Sequence, residues 1–264
     1  MDTAIRRAIP KPIPMKKIKK TFSAFTLIEL LIVIAIIAIL ASFALPAFLG
    51  VQERAKQTKD LSNGKQIVLA LRQFALDNNG SFPQTAPAAA YPGPTLLAAG
   101  GVSNDALWWL FPTYLTDEFI FAVPGSQWNV PGPDGAMDAG GAGARAQTLK
   151  VGENGYAYTL GLNDTSDAGF PLLEDGMVAG ATPPWQYTTD KTIKGGVWGG
   201  KKAIVIFVDG SGSTMTCNDF AAGATSPTVF RPGSTVDSIF EQSTDPNVTW
   251  LNTTNNGILQ PDTP

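Results

Sequence analysis

Residues 30–49 form an almost unbroken apolar run, interrupted only by Ser42 and Pro46. Twenty helical residues rise about 30 Å, the thickness of a bilayer's hydrocarbon core. A helix on the surface of a soluble core shows a polar face recurring every 3.6 residues. None occurs between residues 30 and 41. The run therefore reads as a membrane-spanning helix, and a carboxylate, Glu29, stands at its start. It is too long for a secretory signal peptide and ends on no clear small-x-small cleavage site.

The helical pattern continues past the apolar run. Leu61, Gly64, Val68, Leu71 and Ala75 recur at spacings of 3, 4, 3 and 4, and Ile67 and Phe74 widen the same face. That periodicity predicts an amphipathic helix. One helix is expected from about residue 25 to about residue 77, apolar all round at first and then one-sided. Asn79, Gly80 and Pro83 are its stop signals.

Charge is divided unevenly along the chain. Residues 1–24 hold seven of the 19 basic residues and one of the 22 acidic ones, so a basic head precedes an acidic body. This is the layout of a membrane-targeted chain whose Lys-rich end stays cytoplasmic. The acidic body offers no nucleic-acid-binding surface. The sequence has no histidine, which removes Ser-His-Asp and Cys-His catalysis and His-ligated zinc. Cys217 is the only cysteine, so no disulfide forms within the chain.

The stretch SAFTLIELLIVIAIIAILASFALPAF, from Ser23 to Phe48, resembles the N-terminus of type IV prepilins and of type II secretion pseudopilins. The shared pattern is a short basic leader, a small residue, and a Phe-Thr-Leu-Ile-Glu-Leu run opening a hydrophobic helix. The resemblance implies cleavage by a prepilin peptidase between Ala24 and Phe25, with N-methylation of Phe25. It makes Glu29 the fifth mature residue and an assembly determinant, and places Pro46 where the family carries a helix-loosening proline. The family usually has Gly before the cut; this chain has Ala24. An unpaired carboxylate in the bilayer costs about 3 kcal/mol on insertion scales. In the family's assembly model, the new amine of Phe25 and the Glu29 carboxylate of a neighbouring subunit compensate each other.

Three parts are expected: a basic leader (1–24), a transmembrane half-helix (25–50) and a soluble periplasmic or extracellular domain (51–264). The predicted fold is α+β and pilin-like, with the long helix packed on a small antiparallel β-sheet bearing long loops. Strands are expected at 156–160, at 203–208 as a central strand, and at 213–217, with a turn at Asp209-Gly210 between the last two. A short helix capped by Asn104 or Asp105 should run to Leu110 and stop at Pro112. Residues 119–123 read as extended, 81–101 as loop with a short helix at 96–99, and 241–264 as irregular.

Three patterns suggest chemistry outside the helix. Asp209, Ser211 and Ser213 follow an apolar strand in a D-x-S-x-S array that resembles the metal-binding first loop of von Willebrand factor A domains; an Asp-Gly hairpin turn reads the same way. Acidic residues near Asp134 and Asp138, and the loop 163–167, are either Ca²⁺ loops or solvated turns. Asn163, Asn247 and Asn252 begin N-x-Thr sequons, a pattern that also arises by chance. Trp108, Trp109, Trp185 and Trp250 are core residues or an exposed binding cluster.

The combined expectation is a non-enzymatic structural subunit of a type IV pilus or pseudopilus, without a resident cofactor. Its partners are other pilin subunits, the peptidase and an inner-membrane assembly platform. Its location is the bacterial inner membrane, single-pass with a cytoplasmic N-terminus, and then a filament. The rival from another class is a membrane-anchored binding module with a metal at Asp209, Ser211 and Ser213.

Overall fold

The computed structural model describes residues 25–84, 101–138, 146–180, 185–218, 227–234, 237–242, 250–251 and 256–263. The basic leader with Ala24, the short helix expected at 96–99 and the sequons at Asn247 and Asn252 lie outside them. The chain divides into two compact units, 1–50 and 51–264.

Helix α1 runs from Leu27 to Asp77 and contains Pro46. In the first unit every described residue is exposed. This is the helix long and apolar enough to cross a membrane.

In the second unit α1 becomes one-sided. Asp60, Asn63, Gly64, Ile67, Val68, Ala70, Leu71, Phe74 and Ala75 are buried. The helix ends where the stop signals were read. Asn79 adopts a left-handed conformation (φ 54°) and the Gly80 N–H bonds the Ala75 carbonyl at 2.8 Å, which is the Schellman closure. The Asn78 side chain caps the Phe74 carbonyl at 2.8 Å.

The buried face of α1 packs on a five-stranded antiparallel sheet: β1 (Tyr156–Thr159), β2 (Pro171–Asp175), β3 (Lys202–Phe207), β4 (Gly212–Thr216) and β5 (Ile258–Leu259). The strand order is β4-β3-β2-β1-β5. At Gly64 the helix lies tight against β3: a Cβ there would stand 2.7 Å from Ile206 Cδ1.

The sheet is covered on both faces. On one, Ile67, Val68, Leu71 and Phe74 pack with Tyr156, Tyr158, Leu173, Ile204 and Ile206. On the other, Ala157, Ala203 and Val205 meet Met177, Tyr187, Val229, Ile239 and Phe240 from the loops. Double coverage removes the polar alternation that would mark a half-exposed sheet.

β3 lies between β2 and β4, the interior position its apolar run predicts. Three expectations need correction. The tail is not wholly irregular: Ile258 and Leu259 pair with Thr159 and Tyr158. Residues Phe119–Phe121 form a 3₁₀ turn rather than an extended segment. The Asp117 carboxylate accepts the Phe119 N–H at 2.8 Å and starts the turn, which buries Phe121 against Phe111.

The third concerns helix α2 (Ser103–Leu107), whose N-cap is Val102. Asp105 accepts the Val102 N–H from inside the first turn, at 3.4 Å. Asn104 is turned inward, where its amide donates to the Leu149 carbonyl at 2.8 Å.

Candidate functional site

Among the described residues, Phe25 and Thr26 precede α1. Helix starts leave backbone N–H groups without partners. Here Glu29 Oε2 accepts the Thr26 N–H at 2.8 Å and the Thr26 hydroxyl at 2.7 Å. The Glu29 N–H in turn donates to Thr26 Oγ1 at 3.3 Å. This is a capping box of the Thr-x-x-Glu type, and it places a carboxylate at the positive end of the helix dipole.

Glu29 therefore has a role within its own helix that the apolar-run argument did not supply. The signal was present as Thr26 three residues before Glu29. The box fixes Glu29 at the helix entrance, four residues from Phe25. Pro46 has no N–H to donate within α1, yet the helix continues through it.

The acidic loop residues separate into different roles. Asp134 joins Glu118 and Glu153, with one oxygen from each lying within 4.8 Å of the others. All three already have donors. The Glu118 carboxylate accepts the Gly135 N–H at 2.6 Å and the Leu149 N–H at 3.3 Å. Glu153 accepts the Lys150 N–H at 2.6 Å. Asp134 pairs with the Lys150 ammonium at 2.8 Å, and that bond holds its carboxyl below the usual range. Hard oxygen donors of this kind suit a divalent cation, but Lys150 already supplies positive charge there.

Asp138 lies outside that group. It accepts the N–H groups of Ala146, Gln147 and Thr148 at 2.9–3.2 Å and the Trp108 indole at 3.1 Å. Burial raises its carboxyl, and these bonds outweigh burial and hold it below the usual range. In the loop 163–167, Asn163 Oδ1 accepts the Thr165 N–H at 3.0 Å and the Thr165 hydroxyl at 2.8 Å, as in an Asx turn.

Asp209 and Gly210 form the β3–β4 hairpin turn, with Gly210 at φ 82°. Asp209 Oδ1 accepts the Ser211 N–H at 2.7 Å, and Arg72 donates to the Asp209 carbonyl at 2.6 Å. The D-x-S array is thus the capping chemistry of a tight turn. The tryptophans are mostly structural. Trp108 is buried, Trp109 packs edge-on against it, and Trp250 is half-buried beneath the Arg231 guanidinium.

Residues 19–45 match the prokaryotic N-terminal methylation motif. The chain carries a prepilin-type N-terminus. No curated protein and no solved structure matches it. The motif leads into a 51-residue helix whose distal half packs on an antiparallel sheet. The motif and the long helix imply a type IV pilin- or pseudopilin-like protein, a kind that is typically non-enzymatic. The motif implies processing by prepilin peptidase and assembly with other pilins, and the apolar helix behind it suggests an inner-membrane anchor.

Proposed function

We propose that this pilin-like chain is a structural subunit of a type IV pilus or a type II secretion pseudopilus. The peptidase cuts between Ala24 and Phe25, and Phe25 is then N-methylated. Residues 25–50 hold the subunit in the inner membrane as a single pass with its basic leader in the cytoplasm, and residues 51–264 form the body outside. An assembly platform extracts the subunit, and neighbouring copies pack helix to helix.

The observation that carries this reading is the methylation motif running without a break into α1. The capping box adds support. It holds Glu29 at the helix entrance, where the amine freed on a neighbour's Phe25 meets it. Oε1 makes none of the box contacts and is the oxygen that receives the amine. Pro46 is the point where α1 loosens as subunits pack.

Exchange of Glu29 for Ala tests the pairing. Glu29→Ala should still insert into the inner membrane but should fall at least tenfold in sheared filaments, read by immunoblot and electron microscopy. Incorporation at the unmodified rate contradicts the role given to Glu29.

A further inference from the structure

The core between α1 and the sheet holds two carboxyl groups that filament packing does not use. Asp60 lies on the buried face of α1 and Asp175 ends β2, and both are fully buried. Asp175 Oδ2 accepts the Ile204 N–H and the Trp198 indole N–H, each at 2.8 Å. Asp60 Oδ1 accepts the Tyr156 hydroxyl, which also lies 3.2 Å from the Asp60 carbonyl. The remaining oxygens, Asp60 Oδ2 and Asp175 Oδ1, are buried and receive no N–H or hydroxyl donor from the described residues.

The two carboxyl groups act on each other directly, the Asp175 charge disfavouring ionisation of Asp60, and each keeps one buried oxygen without a donor. Two buried carboxylates repel and have no hydrogen to share, whereas an acid beside a carboxylate gives both orphaned oxygens a partner. Asp175 already takes two donors, which favour its charged form, whereas Asp60 takes one hydroxyl. We infer that Asp60 is a carboxylic acid whose proton bridges to Asp175, tying α1 to β2 in a latch that opens when the proton is lost.

The surroundings supply no competing cation. The ion pairs among the described residues involve neither aspartate. Facing the pair are the Tyr156 phenol from β1, the Tyr187 phenol and Trp198 indole from the segment before β3, and the Cys217 thiol after β4. Burial and the acidic charges around them raise both phenols well above their ordinary value, and burial pushes the Cys217 thiol up to about 12. All three stay neutral at physiological pH. Lys202 acts on Cys217.

Glu174 lies on the opposite face of β2, in register with Ala157 and Val205 of the second core. Neither of its oxygens has a donor among the described residues. Burial, with the Asp175 charge, pushes its carboxyl up to about 8. It is a second, separate proton holder.

Burial, then the Asp175 charge, holds the Asp60 carboxyl well above its ordinary 3.8. An acid raised on folding contributes stability that is complete below its unfolded value and is lost as pH rises through its folded value. Each proton that the native state keeps and the unfolded chain has shed changes the folding equilibrium about tenfold per pH unit. Asp60 and Glu174 each contribute up to about tenfold per unit wherever the native state keeps the proton and the unfolded chain has shed it.

The test is urea unfolding of the full chain in non-ionic detergent, followed by tryptophan fluorescence between about pH 6 and pH 7.5. A Glu153→Gln background removes a raised carboxylate outside the pair; Asp175, which burial also raises, is kept in the parent and in every variant. Asp60→Asn keeps an N–H donor toward Asp175 but has no proton to lose. It should reduce the pH dependence tenfold per unit, and Glu174→Gln should do the same independently. An Asp60→Asn slope equal to the parent's overturns the latch. Should Asp60→Asn fail to fold, Glu174→Gln decides: a remaining tenfold dependence supports the latch, and a flat profile overturns it.

Discussion

Asp138 illustrates how far a residue's role depends on where the chain returns. By composition it belongs with Asp134 in an acidic loop; in the fold it anchors the backbone at 146–148 and the Trp108 indole. Asp138→Ala should destabilise the second unit by about 1–3 kcal/mol, because the N–H groups of a partly buried segment lose their acceptor. Its carboxyl is held below 3.8, so this contribution is present above the unfolded value and is lost as pH falls through the folded one. The stability gap between parent and variant, measured by urea unfolding, should therefore be full at pH 6 and shrink below pH 4. A gap that does not change with pH contradicts the anchoring role. Other residues were more legible. Glu29 stood out because it opens an apolar run, and its Thr26 partner could be found from the Thr-x-x-Glu spacing. Asp60 sits four residues before Gly64 on the apolar stripe, so its burial was readable, but its meeting with Asp175 was not.

The elements divide by how much of their environment is local. Helix α1 was readable nearly to the residue because its period, its Asn-Gly stop and its apolar run are all local signals. Strands β1, β3 and β4 were readable from short apolar or β-branched runs beside turn residues. β2 was missed. Its sequence, Pro-Leu-Leu-Glu-Asp, begins with a proline and ends with two acids, and it is buried only because helix and loops cover both faces of the sheet. β5 has two residues and no pattern of its own. The contact at Gly64 carries a prediction for α1. Alanine there gains about 1 kcal/mol of helix propensity and presses only on the flexible end of Ile206, so Gly64→Ala should be near neutral. Gly64→Leu should destabilise by about 1–3 kcal/mol through overpacking. Thermal unfolding of both variants checks this, and equal behaviour of Ala and Leu would mean that the helix does not lie close to β3.

At the scale of the whole molecule, the proposed function rests on the N-terminal segment. The charge layout, the methylation motif and the apolar helix agree with a prepilin-type chain. The acids inside the body, Asp60, Asp175 and Glu174, make its stability fall on the alkaline side, whereas surface acids such as Asp138 act on the acidic side. The central claim is that the chain is processed as a prepilin. Mass spectrometry of the N-terminal peptide from membrane-extracted protein tests it most directly. A peptide beginning at Phe25 and bearing one added methyl group is the predicted result. A peptide that still carries the leader through Lys20 and Ala24 would contradict the account and leave the chain a permanent membrane anchor.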